Sequence, residues 1–298
     1  MPVGLETPAH RFGLALGGGT ARAFAHVGVL KVLQEARLLP DVVSGTSFGA
    51  LIAAHYALFA DVDELVRWAE TFPVADVWRQ GLDFGLHRAA LVEGGKIERW
   101  LERTLFHGAT FADLKLPLRV TCMDVHTGEL VVLEQGSLAK AVRASCALPV
   151  LTRPVEIMGR TLIDGGFISP VPVAPLLEDT GVVLGVHTGI AIEKARTVQL
   201  YRRLHASSFG AWWHGRFLSA PATPWGTLLR SLARAGTSYT RELSFAPEAL
   251  MLYTAPPISW WDFHRLESAI LAGESAMRRA LPALHVKLGR LDTDRSVL

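Results

Sequence analysis

From Val42 to Ala60 the chain runs for nineteen residues without a charged side chain, and near its start stands Gly45-Thr46-Ser47-Phe48-Gly49. A run of that length could span a bilayer, but the glycines, the serine and His55 interrupt it, so a buried strand, a sharp turn and a buried helix explain it better. Asp41-Val42-Val43-Ser44 reads as the strand end and Ala50 to Leu58 as the helix. A serine on a tight strand-to-helix turn stands where a nucleophile belongs. Glycines two residues before and two after it have a physical reason, because such a turn strains the serine backbone and leaves its neighbours no room for a Cβ. The pattern alone arises by chance at average composition, and it is the strand and helix around it that give it weight.

The 298 residues are half apolar and suffice for one large α/β domain or two small ones. Phe12 to Leu16 ends in glycines as a buried strand would, and Ala23 to Ala36 carries apolar residues at helical spacing. Amphipathic helices are expected at Asp63 to Phe72 and Lys96 to Leu105, around a glycine-rich stretch from Gly81 to Gly95. Leu118 to Asp124 and Leu130 to Glu134 read as strands joined at His126-Thr127-Gly128, followed by a short helix at Leu138 to Ser145. Val155 to Ile163 reads as a hairpin turning at Gly159, and Val182 to Val186 as another core strand. Strands alternating with helices imply a three-layer α/β/α domain with a mostly parallel central sheet. No secretory signal is read at the N-terminus and no transmembrane helix is expected. Cys122 and Cys146 form neither a CxxC pair nor a metal-ligand cluster and fit buried thiols in a reducing, cytoplasmic compartment.

Gly17-Gly18-Gly19-Thr20-Ala21-Arg22 follows the first strand and opens the first helix. A dinucleotide fingerprint would need a third glycine where Arg22 stands, and no Gly-Lys-Ser/Thr of a P-loop is present. Successive small residues at a helix start instead expose backbone N–H groups where the dipole favours negative charge, which describes an oxyanion hole at Gly17, Gly18 and Gly19. Far downstream lies Asp164-Gly165-Gly166. Together the three sites suggest an acyl hydrolase.

The run from Leu14 to Leu30, the Gly-Thr-Ser-x-Gly-Ala elbow, the segment Ala144-Ser145-Cys146-Ala147-Leu148-Pro149, and Asp164-Gly165-Gly166 followed by Pro170-Val171-Pro172-Val173 resemble, in order, the motifs of bacterial patatin-like phospholipases. The resemblance extends from about Phe12 to Val186, and weakly again over Trp261 to Leu284. Ala23 and Thr20 depart from the family's usual residues but remain small. The expected organisation is a single domain over 8–290: the resemblance implies a catalytic core at 12–192 and a closing helix at 262–288, while the poorly matched segment 193–261 between them is read from its composition as basic, aromatic, helical and lid-like. The resemblance also implies a serine–aspartate dyad, with Ser47 as nucleophile and Asp164 as base, and Gly18 and Gly19 as donors to the oxyanion. Gly45, Gly49, Gly165, Gly166 and Arg22 would support that site, Arg22 by holding the loop or by meeting a substrate phosphate. The implied substrate is a lipid acyl ester, phospholipid or lysophospholipid, cleaved without metal or other cofactor. A catalytically weak lipid-binding or regulatory protein on the same fold, and a general carboxylesterase, stay open as alternatives.

An ordinary hydrolase triad would need a histidine after the acid, and His187 follows the strand at Val182 to Val186. The plainer reading of His187, and of His26 on the first helix, is a histidine satisfied by local hydrogen bonds. Asp124, at a strand end, is the spare carboxylate. The net charge of +2 conceals an asymmetry, since 194–241 holds eight Lys or Arg and no Asp or Glu, interleaved with Trp, Tyr and Phe. That mixture suits peripheral contact with the headgroups of an anionic membrane, at the inner face of the cell membrane, or equally a set of solvated or core-packed helices. No nucleic-acid-binding motif accompanies it, so nucleic acid is not an expected partner.

Overall fold

A computed structural model describes residues 12–74, 92–149, 151–189 and 249–293. Strands β1 (Phe12–Leu16) and β2 (Val42–Thr46) are buried at every position, which is why neither alternates polar with apolar residues: a strand covered on both faces has no solvent side. β1 pairs in parallel with β2, Leu16 opposite Gly45. On its other edge it pairs in parallel with β7 (Val182–His187), Leu16 opposite Val186. β8 (Ala249–Tyr253) continues the sheet in parallel beyond β7. β3 (Leu118–Asp124) continues it beyond β2. The antiparallel part comprises β4 (Leu130–Leu133), β5 (Val155–Ile157) and β6 (Arg160–Asp164), the last two joined by a turn in which Met158 and Gly159 take φ of 51° and 71°. The α/β class and the mostly parallel sheet are as the sequence implies.

β3 decides where the chemistry can sit. β4 pairs with residues from Val120 to Met123, while β2 pairs with the first part of β3, ending at Thr46 opposite Thr121. β6 runs the other way and ends at Asp164 opposite Cys122. Thr121 and Cys122 both have β4 on one side, so β2 and β6 share the other edge and meet end to end. Ser47 and Asp164, far apart in sequence, therefore leave the sheet at one point.

The main core lies on the face that carries Leu14, Leu16, Leu184 and Val186, under helices α1 (Ala25–Glu35), α2 (Phe48–Phe59), α3 (Val62–Glu70), α4 (Gly95–Trp100), α5 (Leu138–Ser145) and α6 (Leu266–Thr293). On the opposite face Ala15, Val42 and Val183 pack under Val171, Val173 and Leu176. α2 is uncharged because it is buried from Gly49 to Tyr56 and on to Ala57, and among the described residues no helix is long and apolar enough to cross a membrane. α1 and α6 cross through glycines: a Cβ on Gly28 would stand 1.9 Å from the Ile270 carbonyl oxygen, and one on Gly273 1.9 Å from that of Ala25.

Three boundaries differ from expectation. A separate helical turn over Thr20–Phe24 precedes α1, and α4 continues as a π-helical turn over Leu101–Phe106. The closing helix starts at Leu266 rather than 262, after a short turn at Phe263–Arg265. The segment 193–261, expected to be helical and lid-like, includes β8, whose apolar Ala249-Leu250-Met251-Leu252 completes the sheet instead. Its remaining basic and aromatic part, 194–241, and the stretch from Gly81 to Leu91 lie outside the described residues.

Candidate active site

Ser47 alone makes the turn between β2 and α2, with φ 54° and ψ −131°, a conformation costing an L-residue on the order of 1–3 kcal/mol. Its flanking glycines are dictated by contact: a Cβ on Gly45 would lie 2.5 Å from the Ala50 Cα, and one on Gly49 2.3 Å from the Leu16 carbonyl oxygen. The strained turn is held from outside. The Ser47 N–H donates to Ser145 Oγ at 2.8 Å, and the Ser145 hydroxyl donates to the Thr121 carbonyl at 2.7 Å. Thr46 Oγ1 and Thr121 Oγ1 share a further hydrogen bond of 2.5 Å, and Thr46 also donates to the Ser169 carbonyl. Ser145, fully buried at the end of α5, had no role assigned from sequence. Its segment stands among the motifs that carry the resemblance, but the role itself is not legible there, because its partners are Ser47 and Thr121.

Asp164 ends β6, almost fully buried. Oδ1 accepts the Gly166 N–H at 2.7 Å, and a Cβ on Gly165 would stand 2.3 Å from the Thr121 carbonyl oxygen, so the turn after the aspartate packs directly on β3. Burial pushes the carboxyl up from 3.8 to about 6; the Gly166 N–H and the Ser47 hydroxyl, which both favour the carboxylate, offset part of that rise. A carboxyl near 6 that lines the same cleft as a serine hydroxyl has the chemistry to exchange a proton near neutral pH.

In the glycine loop the N–H groups differ in what they do. That of Gly17 donates to the Val186 carbonyl at 3.0 Å and prolongs the pairing of β1 with β7, so Gly17, included in the expected oxyanion hole, is engaged elsewhere. A Cβ there would meet the Pro170 carbonyl oxygen at 2.8 Å, and the residue's requirement is space. Gly18 makes a long bond of 3.2 Å to the Pro170 carbonyl, and the Gly19 N–H has no backbone partner among the described residues. A Cβ on Gly18 would lie 3.2 Å from the Ser47 Cβ, which sets this part of the loop beside the serine. Arg22 donates from Nε to the Ile258 carbonyl at 2.7 Å and faces the cleft, so it ties the loop to the segment before α6.

His187 stands at the end of β7 and borders the same cleft. Its Nδ1 accepts the Gly189 N–H at 2.8 Å, whereas a triad histidine must donate from that nitrogen to its acid. Asp124 is used elsewhere: Oδ1 accepts the N–H groups of His126 and Thr127, capping the turn between β3 and β4. Both cysteines are free thiols. Among the described residues no three His, Cys, Asp or Glu side chains are grouped to hold a metal ion.

Two cavities meet at Ser47. One, of about 340 Å³, is walled by apolar side chains that include Phe48, Leu51, Phe72, Ile97, Trp100 and Phe263. The aromatic walls are in mutual contact, with Phe48 and Phe72 5.7 and 6.2 Å from Phe263 between ring centroids. The other, of about 520 Å³, is a cleft of mixed lining in which Gly18, Gly19, Arg22 and Asp164 stand beside apolar residues such as Phe167 and Trp260. Thr20, Leu148, Leu151 and Trp261 border both. The arrangement can hold an apolar chain on one side of the serine and a polar group on the other.

Known proteins are similar to this chain in sequence and in fold. The chain is 29% identical over 290 residues to an uncharacterized NTE family protein of Mycobacterium tuberculosis, covering 91% of this chain and 46% of the relative. It is 35% identical over 164 residues to a lysophospholipase of Emericella nidulans, covering 54% of this chain and 11% of the relative. It thus spans less than half the length of these curated relatives. Among solved structures, VipD from Legionella pneumophila superposes with a TM-score of 0.56 at 15% identity, over 93% of this chain and 67% of that one, a likeness of fold. The family model described as patatin-like phospholipase matches residues 14–177, more than half the chain and the part that carries the glycine loop, the elbow and the buried aspartate, and the chain belongs to that family.

Proposed function

We propose that this chain is a serine acyl hydrolase acting on the carboxylic esters of lipids, phospholipid or lysophospholipid. The observation that carries the reading is the position of Ser47, in a strained turn beside a buried carboxyl near 6, at the junction of an apolar cavity and a second cleft that carries the polar groups of Arg22 and Asp164. The printed name of the Emericella relative, a lysophospholipase, supports the same substrate class.

In this mechanism Asp164 accepts the Ser47 hydroxyl proton as Oγ attacks the ester carbonyl. The resulting oxyanion lies against the N–H of Gly19 and that of Gly18, the latter giving up its long bond to the Pro170 carbonyl, a donor being worth on the order of 3 kcal/mol of transition-state stabilisation. Collapse expels the alcohol, which takes the proton from Asp164, and leaves the acyl group on Ser47 with its chain in the apolar cavity. Water, deprotonated by Asp164, then attacks the acyl-enzyme, and the serine departs with that proton. A carboxylate is a weak base for a hydroxyl, so burial of Asp164, which raises its basicity, is part of the design.

The test is hydrolysis of a short-chain p-nitrophenyl ester and of a phospholipid by the native protein, Ser47→Ala, Asp164→Asn and His187→Ala. Loss in the first two variants with His187→Ala retaining activity supports the dyad. Collapse in a folded His187→Ala moves the protein to a triad, and an inactive native protein overturns the hydrolase reading.

A further inference from the structure

The Gly17-Gly18-Gly19 backbone can turn its peptide groups at little cost, since no Cβ restricts φ and ψ. A hole made of two such N–H groups is useful only if something fixes which way they point. In a trans peptide C=O and N–H are antiparallel, so anchoring a carbonyl aims the N–H of the same peptide in the opposite direction.

Both relevant carbonyls are anchored by side chains. His26, in the first turn of α1 and fully buried, has Nε2 at 2.7 Å from the Gly17 carbonyl oxygen. A carbonyl only accepts, so the proton is on Nε2; Nδ1 has no hydrogen-bond partner among the described residues. The ring is held neutral, burial having lowered it from 6.5 to about 4 against the opposing effect of the Gly17 carbonyl, with His187 lowering it further. The Thr188 hydroxyl donates to the Gly18 carbonyl at 2.7 Å. Thr188 is delivered there by the pairing of β1 with β7, which runs as far as Leu16 opposite Val186 and carries the following residues alongside the loop. A Cβ on Gly19 would stand 2.3 Å from Thr188 Oγ1, so this hydroxyl packs directly on the loop.

We infer that His26 and Thr188 are positioning residues that fix the Gly17–Gly18 and Gly18–Gly19 peptides, and thereby aim at the oxyanion the N–H of Gly19 and, in competition with its 3.2 Å bond to the Pro170 carbonyl, that of Gly18. Neither touches substrate. The inference rests on the acyl-hydrolase reading and adds to it the origin of the hole's geometry. It also gives the buried His26 a purpose, since a phenylalanine would fill the same space without the bond.

The experiment compares native protein, Thr188→Val, Thr188→Ser, His26→Phe and Ser47→Ala. The measurements are kcat and KM on a short p-nitrophenyl ester, inhibition by a trifluoromethyl ketone, which adds to serine as a tetrahedral oxyanion, inhibition by a free fatty acid, and the melting temperature. Thr188→Val keeps the side-chain shape and should lower kcat about tenfold or more, short of the ~10²–10³ seen when a donor itself is lost. The ketone should weaken in parallel, while KM and fatty-acid inhibition stay within about twofold, as expected for an interaction made only in the transition state. Thr188→Ser should restore most of kcat, and His26→Phe should repeat the pattern of Thr188→Val. A folded Thr188→Val with native kcat, or with the ketone and the fatty acid weakened equally, overturns the inference while leaving the hydrolase reading intact. A native protein that neither hydrolyses the ester nor binds the ketone in a Ser47-dependent way overturns both.

Discussion

At the scale of single residues, Asp164 sets the pH response of the proposed reaction. Its carboxyl must be ionised to take the serine proton, and burial holds it at about 6, so kcat/KM on a soluble ester should rise with pH through an apparent value near 6 and level off above it. A rate profile from pH 4.5 to 8 checks this; a limb near pH 4 would place the base in a solvated site. Ser145 predicts a different signature. It accepts the Ser47 N–H and donates to Thr121, so Ser145→Ala leaves a buried donor and acceptor without their partner, at a cost of about 1–3 kcal/mol in stability. The melting temperature should fall, and kcat with it, because the strained turn at Ser47 loses an external tether. Calorimetry and ester kinetics on that variant read both effects.

At the scale of elements, the crossing of α1 with α6 is set by two glycines whose missing Cβ atoms let backbone meet backbone. Gly273→Ala would put a methyl within 1.9 Å of the Ala25 carbonyl oxygen, which no rotamer can relieve. The helices must part, and a loss of at least 1–3 kcal/mol is expected, measurable as a lower denaturant midpoint. The apolar cavity gives the second prediction at this scale. Ile97 of α4 is part of its wall, so Ile97→Trp should shorten the preferred acyl chain in a series of p-nitrophenyl esters while leaving the acetate ester nearly as good a substrate. An unchanged chain-length profile would remove this cavity from the acyl-binding role.

At the scale of the whole molecule, two buried histidines among the described residues weigh on acid stability. Burial lowers His26 and His55 from 6.5 to about 4. Below pH 6.5 the unfolded chain takes up these protons while the folded one does not until about pH 4, so the unfolded state binds more protons and stability falls as pH drops through that window. Asp164 acts in the opposite sense: raised from 3.8 to about 6, it protonates first in the folded state and adds stability as pH falls from 6 towards 4. Two histidines outweigh one aspartate, each fully expressed histidine shift being worth about 3 kcal/mol. The melting temperature should therefore decline from pH 7 to pH 4.5, and His55→Phe, which keeps a ring against Trp68, should flatten the decline. A flat native profile would contradict the balance.

The sequence by itself determined the local pieces. Val42-Val43 and the uncharged helix after it required a buried strand and helix, and the glycines on either side of Ser47 required a turn too tight for a Cβ, because sterics and periodicity act between near neighbours. The order of motifs was enough to recognise the family. Tertiary structure alone decided the encounter of Ser47 with Asp164: nothing near either residue encodes that β2 and β6 end head to head along one edge of β3. The same holds for Ser145, 98 residues from the turn it tethers, and for Thr188, 170 residues from the carbonyl it anchors. It also decided that Gly17 gives its N–H to Val186 and that Ala249–Tyr253 completes the sheet inside a segment that reads as helical. Hydrogen bonds and edge pairing join residues by proximity in space, and a list of residues in chain order does not carry that distance.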